Sequence, residues 1–370
     1  VNFNPELGGA QADATGAAAA STNAGGPVVL SICIATFRRA AFIAQTLDSI
    51  VAQLRPDVEL LVLDGASPDE TPRIMEAYVQ RHPNVVYRRE PANSGFDADF
   101  DKVVGYARGE FCWLMTDDDL LAPGAVARVL AELRADRDLV IVNAEVRNQD
   151  FSVRLQERML PAERDSEWAP RESERFFALS CQYLSFIGAV IIRRSLWLAR
   201  ERGAYYTSMF IHMGVIFQKP LDRTAHVIAE PLIVIRYGNA QWSARSFEIW
   251  MSLWPRLIWS FEQFSEEARR RITLRHPAES LKRLLWFRAI GAFGTREYEQ
   301  LLRSAPSPRA RRMARLVLGI PDGLANTAVA LYCLPSFDRF VRLKLFELVR
   351  APGSTALTRA IGVLRGVPRG

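Results

Sequence analysis

Cysteine is scarce in this chain. The four residues, Cys33, Cys112, Cys181 and Cys333, lie far apart and mostly inside apolar runs. That spacing excludes a small disulfide framework and a cysteine-based zinc module, both of which need closely set pairs. Buried thiols in a reducing cytosol are the expectation. Long hydrophobic runs are also missing: no stretch approaches the roughly 18 uninterrupted apolar residues that span a bilayer. The N-terminal stretch carries Glu6 and Asp13 and has no basic segment followed by an apolar one, so no secretory signal is expected there. The predicted location is cytoplasmic, with any membrane contact confined to the inner surface.

What is present is a large apolar fraction, 49% of 370 residues, enough for a substantial core. The formal net charge is +6, and nearly all the basic residues are Arg. Such a balance suits a phosphate-rich partner or an anionic surface. No nucleic-acid-binding motif accompanies it, so nucleic acid is not an expected partner.

Residues 1–27 are Ala, Gly, Ser and Asn with little to bury, and read as a disordered tail. From Val28 the pattern alternates. Strand-like runs at 28–36, 58–64, 84–90 and 110–116 are separated by helical spacing at 42–54, 70–82 and 97–108. That alternation predicts an α/β fold, with a mainly parallel sheet and helices on both faces. Further strand candidates are "DLVIVNAEV", "SFIGAVIIRR" and "HVIAEPLIVIRYG". After about 246 the composition turns to helical segments rich in Trp, Phe, Leu and Arg. The expected organisation is a catalytic unit over 28–245, a helical region over 246–350 and a flexible C-terminus over 351–370.

In parallel sheets ligands bind beyond the carboxyl ends of the strands. At that edge the sequence puts Thr36, Asp64 and the triplet Asp117, Asp118 and Asp119 in "FCWLMTDDDLLAPGAV". Adjacent like charges are unfavourable unless something positive lies among them. A hard divalent cation, Mg²⁺ or Mn²⁺, takes one or two carboxylates and fills its other positions with water and substrate phosphate. The triplet therefore suggests a metal-bridged diphosphate, with a solvated acidic turn as the alternative.

Four motifs taken together resemble the nucleotide-sugar half of family 2 glycosyltransferases of GT-A fold. They are Ala35-Thr36-Phe37-Arg38, the strand-ending Asp64, Asn93-Ser94-Gly95, and Ala107-Arg108-Gly109-Glu110 followed by the triplet and Pro123. The resemblance is close over 28–130, the nucleotide-sugar half; 131–245 would be the acceptor half. Within the family, "LDGAS", "CWLMTDDD" and "SFIGAVIIRRSLW" look most like the abequosyltransferase-type branch, which transfers dideoxyhexoses during O-antigen assembly. The resemblance implies a UDP-, CDP-, GDP- or dTDP-sugar donor and a glycan acceptor, lipid-diphosphate-linked if the branch holds. Asp64 would read the base, with Ala35 and Thr36 lining its pocket. Arg38 and Arg39 would either add charge near the diphosphate or face solvent at the helix entry, and Asn93 and Asp97 would meet the donor. Asp117, Asp118 and Asp119 would divide the metal and ribose between them. Asp118 would act in leaving-group departure through the metal.

Two departures from the family matter. Thr116 stands where many relatives carry the first Asp of the acidic motif, which leaves open which carboxylate ligates the metal. Inverting members place a Glu-Asp pair about 90 residues later, whereas "YYTSMFIHMGVIF" has no carboxylate. His212 is its only obvious proton acceptor, so it is expected as catalytic base or metal ligand, with a core histidine as the bland alternative. Inverting and retaining courses both stay open. Asp97, Asp99 and Asp101 read either as contacts to the sugar or, preferred, as an exposed acidic helix start, and Arg236 and Asn239 as a strand end that could close over the diphosphate or the acceptor. Segments such as "LIWSFEQF" and "LKRLLWFRAIGAF" suit either a membrane interface or ordinary packing. Two competing functions remain. One is a degenerate GT-A domain that binds sugar nucleotide or glycan as a scaffold. The other is a sugar nucleotidyltransferase, disfavoured because "ATFRRAAF" has neither Gly nor Lys.

Overall fold

The computed structural model describes residues 27–133, 136–239, 241–305 and 307–368. The predicted tail lies outside these residues apart from Pro27. The strands are β1 (Leu30–Thr36), β2 (Val58–Asp64), β3 (Val85–Arg89), β4 (Phe111–Met115), β5 (Leu120–Leu121), β6 (Arg137–Arg147), β7 (Arg154–Gln156), β8 (Ser166–Trp168), β9 (Val190–Arg193) and β10 (Thr224–Arg236). They form one sheet in the order β3-β2-β1-β4-β9-β6-β10-β5, with β7 beside β6 and β8 beside β10. β1 pairs in parallel with both β2 and β4, so the strand order reverses there and opens a crevice at the carboxyl edge.

The apolar residues of β1 and β2 alternate between two cores, as a sheet covered on both sides requires. Ile32, Ile34, Leu60 and Val62 face α1 (Ile43–Val51), α2 (Thr71–Arg81) and α4 (Ala125–Glu132). Cys33, Leu61 and Leu63 face α3 (Phe96–Tyr106), α5 (Ser173–Ser180) and α7 (Ile211–Phe217). Cys33, Cys112, Cys181 and Cys333 are free and buried.

β9 pairs only with Phe111–Trp113 of β4 and Leu139–Ile141 of β6. It begins at Val190 rather than at 185, because Tyr183–Ser185 and Ile187–Ala189 form 3₁₀ turns, and the Gly188 carbonyl in the second accepts the Trp113 indole N–H (2.8 Å). Beyond this short strand β4 runs on to Met115 and β6 to Arg147, where β7 pairs with its end. The chain crosses there from the tip of β4 to β5, which pairs antiparallel with Ile233 and Val234 of β10. The triplet lies on this crossing. β10 is a single strand of 13 residues whose register shifts around Pro231, which has no N–H to give the ladder.

Beyond β10 the chain is helical. Trp254, Ile258, Phe261 and Phe264 pack into the core on the α7 side, and Leu284, Phe287 and Phe293 into a further cluster. The aromatic residues of the two segments considered for a membrane interface are therefore largely inside, and ordinary packing accounts for them. The stretch expected to be flexible from 351 instead holds a helix, Ala356–Leu364, with Ile361 in the core. It packs on Val341–Arg350, whose Phe346 meets Tyr237 just past β10 (ring centroids 5.7 Å apart).

Candidate active site

At the carboxyl edge Asp117, Asp118 and Asp119 follow β4 directly and are neutralised by protein cations. Arg39, entering α1 after β1, donates from Nε to Asp117 Oδ1 (3.0 Å) and from Nη2 to Asp118 Oδ2 (2.6 Å). Asn239 Nδ2 donates to the same Asp118 oxygen (2.8 Å). Asp119 accepts from Thr116 Oγ1 (2.5 Å) and from the Arg236 backbone N–H (2.7 Å). Arg236 reaches back with Nε to the Asp118 carbonyl (2.9 Å), and its guanidinium stacks on Phe151 at 4.1 Å and Phe42 at 5.1 Å. β1, β4 and β10 thus meet at one charge cluster.

Burial dominates the ionisation of these groups. It pushes the Asp117 carboxyl up to about 6, opposed by Arg39 and reinforced by Asp118. Burial also raises Asp118, against Arg39, Asn239 and Arg236. Asp119 lies well above the usual carboxylate range, from burial first and then the charge of Asp118. Three carboxylates facing two arginines are poised for further positive charge.

Oxygen-only donors at Asp117 and Asp118 fit a hard cation that takes one or two protein carboxylates. The larger set of Asp117, Asp118, Asp119 and His212 does not assemble. Both oxygens of Asp119 are engaged in protein bonds, and His212 is turned elsewhere. Among the described residues the group of three that converges within 4.8 Å is Glu132, Asp165 and His226. It lies at the opposite, amino edge of the sheet. Arg128 already bridges its two carboxylates there, and Arg137 meets Glu132 (2.5 Å).

His212 is fully buried in α7, its Nε2 2.7 Å from the Leu184 carbonyl oxygen. Burial lowers its pKa to about 4, so it is neutral at physiological pH. In this arrangement it is a core group, neither base nor metal ligand. The carboxylate missing from the α7 segment reaches it from α3 instead. Asp97 accepts from the N–H groups of Met209 (2.8 Å) and Ile211 (2.9 Å) and caps α7. Its burial raises its pKa to about 6 despite these bonds. The expected exposed acidic helix start is thus replaced by a built one. Asp97 and Asp99 are buried, and Asp101 binds the Trp197 indole N–H (2.8 Å) and the Tyr206 hydroxyl (2.6 Å).

Asp64 is fully buried at the end of β2. It accepts from the Ser67 N–H (2.7 Å) and the Tyr87 hydroxyl (2.6 Å). Gly65 comes so close to α3 that a Cβ there would lie 2.8 Å from Asp99 Oδ2, with Asn93 also adjacent. Asn93 itself is exposed and accepts from the Gly95 N–H (2.7 Å). Ala35 is half-buried and Thr36 buried at the end of β1, where the Thr36 side chain faces the Asp117 carboxyl and helps hold its charge. Arg38 is exposed, so of the two arginines it is Arg39 that meets the triplet.

Among the described residues the non-glycine positions with positive φ are Arg38, Ala66, Phe151, Thr207 and Met209, all in loops at this edge. Each such conformation costs about 1–2 kcal/mol, and backbone strain of this kind collects at functional sites. Arg39, Arg236 and Asn239 were weak sequence signals. Each is one more polar residue at a strand end until pairing brings β1, β4 and β10 together.

Comparison with known proteins agrees with this geometry. Residues 31–198 match the family model for glycosyl transferase family 2. Abequosyltransferase RfbV of Salmonella typhimurium is 27% identical over 230 residues, 57% of this chain and 68% of that protein. Chondroitin synthase of Escherichia coli is 30% identical over 122 residues, 33% of this chain but only 18% of the synthase. Among solved structures, S. aureus TarS 1–349 in complex with UDP superposes with a TM-score of 0.50 at 16% identity, covering 92% of this chain and 91% of that one. It shares the GT-A fold. Residues 31–198 form a family 2 glycosyltransferase domain, and the chain is a glycosyltransferase.

Proposed function

We propose that the protein transfers a sugar, of the dideoxyhexose class by analogy with the abequosyltransferase, from a nucleoside diphosphate to a hydroxyl of a lipid-linked glycan in surface polysaccharide or O-antigen assembly. The observation that carries the donor side is the buried carboxylate cluster at the tip of β4, beside the crevice between β1 and β4. The likeness to abequosyltransferase RfbV supports the sugar and pathway class. The UDP in the TarS complex supports a nucleoside-diphosphate donor.

Asp117 and Asp118 would hold a divalent cation, Mg²⁺ or Mn²⁺, which when bound neutralises the departing diphosphate. Arg39 and Arg236 supply fixed positive charge to the same place without any cofactor. Asp119 holds the β10 end against the triplet through the Arg236 N–H. The Asp64 loop, with Thr36 and Ala35, forms the floor for the base. Thr36, facing the Asp117 carboxyl, joins that floor to the triplet. Asp97 and His212 act as positioning residues that fix α7 on the acceptor side. The enzyme would work at the inner face of the membrane that carries its acceptor.

The test is release of nucleoside diphosphate from a panel of UDP-, CDP-, GDP- and dTDP-sugars, with a lipid-linked acceptor extract, in Mn²⁺ or in chelator. Metal-dependent release from one donor class is expected. No release from any donor would leave the scaffold reading in its place.

A further inference from the structure

The positive charge of this chain is concentrated at one end. Residues 308–370 hold 11 Lys and Arg against three Asp and Glu, a net of +8, while the whole chain is +6. The other residues therefore sum to −2. The segment contains the helices Pro308–Leu318, Asp322–Cys333, Val341–Arg350 and Ala356–Leu364.

Two of these helices lie side by side. Asn326 accepts from the Thr358 hydroxyl (2.6 Å) near their first turns, and Arg365 donates to the Ser336 carbonyl (2.8 Å) just past their last. Asp322–Cys333 and Ala356–Leu364 therefore run in the same direction. Their outward faces are apolar. Leu324 (62% exposed), Leu331 (47%) and Tyr332 (66%) follow helical spacing on the first helix, and Leu357 (49%) and Leu364 (75%) on the second. Phe337, wholly exposed, extends the face at the end where Ser336 and Arg365 meet. Lys282 lies over the Tyr332 ring at 5.3 Å, and Arg359 is exposed between Leu357 and Leu364 in the second helix.

Apolar side chains of this size on adjacent helices, bordered by cations, match a helix pair lying in a membrane interface. No single described helix is long and apolar enough to cross a bilayer, and Pro308–Leu318 meets Asp322–Cys333 at a 102° bend. That suits lying on a surface. The face is also tied to the site. Val341–Arg350 packs against both helices, and its Phe346 is 3.2 Å from where a Cβ at Gly238 would be, two residues from Arg236.

We infer that the paired helices Asp322–Cys333 and Ala356–Leu364 form a docking face for an anionic lipid bilayer. The apolar residues enter the acyl boundary and the surrounding Arg and Lys meet lipid phosphates. The inference rests on the reading that the acceptor is lipid-borne, and it names the surface that brings the enzyme to it.

The test is co-flotation of the purified full chain with vesicles of phosphatidylglycerol and phosphatidylethanolamine, compared with phosphatidylcholine alone. Wild-type protein is expected to float with the anionic vesicles and to be released by high salt. Leu331→Glu/Leu364→Glu is expected to weaken binding about tenfold or more, from lost apolar insertion. Phe337→Ser, at a wholly exposed position that the fold does not need, is expected to weaken it in the same direction. Circular dichroism checks that the variants fold. Flotation of the double variant like wild type, or no flotation of wild type, overturns the face. A wild-type dimer that the double variant breaks, with no vesicle binding, overturns it in favour of self-association. Intact flotation with no transfer to any lipid-linked acceptor leaves the face standing and rejects the functional reading.

Discussion

Arg39 shows how much one side chain carries in this molecule. It neutralises two carboxylates at once, buried Asp118 and half-buried Asp117. Removing one partner of a buried ion pair costs about 3–5 kcal/mol, because a charge is left unpaired. Arg39→Ala should lose stability of that order in chelator and regain part of it when Mn²⁺ is added, more than wild type gains. Thermal unfolding with and without Mn²⁺ measures this. A variant insensitive to Mn²⁺ would show that Asp117 and Asp118 do not hold the ion. His212 gives a prediction in pH. Its folded pKa of about 4 lies below the ordinary 6.5, so the unfolded chain takes up the proton first and stability falls as pH drops from 6.5 towards 4. Urea unfolding of wild type and His212→Gln should diverge across that window by about 3 kcal/mol to the disadvantage of wild type. A constant difference would mean the imidazole titrates normally and is not sealed in the core.

At the level of elements, the strands and helices of residues 28–116 are readable from periodicity, because each strand alternates between two helix-covered faces. The Asp64 turn and the triplet are readable as strand-end chemistry for the same reason. What one chain segment cannot display is through-space completion. Asp97 caps a helix 112 and 114 residues away, so the absence of a carboxylate near 212 looks like a gap to be filled by the nearest histidine. The Ala107-Arg108-Gly109-Glu110 motif is a second example. Its residues lie at the amino end of β4, away from the site, where the Gly109 N–H donates to Ser31 Oγ (2.8 Å) and Arg108 binds Glu59 (2.7 Å). A Cβ on Gly109 would lie 2.6 Å from the Ser31 backbone nitrogen. Gly109→Ala should therefore cost about 1–3 kcal/mol through forced displacement of β1. Chemical denaturation should show that loss, with the donor KM of the folded fraction unchanged. A normal stability would mean the motif does not clamp the strands.

Across the whole molecule the two edges of the sheet divide the work. The amino edge is held by ion pairs such as Arg137 with Glu132 and Arg108 with Glu59. The carboxyl edge carries the acidic triplet, the strained loops and the contact with the basic C-terminal helices. The C-terminal architecture was the least legible part, because the same Trp, Phe and Leu content serves a core or a membrane face. Only packing shows that Phe287 is inside and Phe337 outside. The central claim is that the cluster at the tip of β4 binds a metal-bridged nucleoside diphosphate. Titration calorimetry with the diphosphate of the active donor, in Mn²⁺ and in chelator, addresses it directly. Wild type should bind in a metal-dependent way, and Asp118→Asn should weaken binding about tenfold or more while remaining folded. Equal binding by wild type and Asp118→Asn, or binding indifferent to metal, would contradict the account.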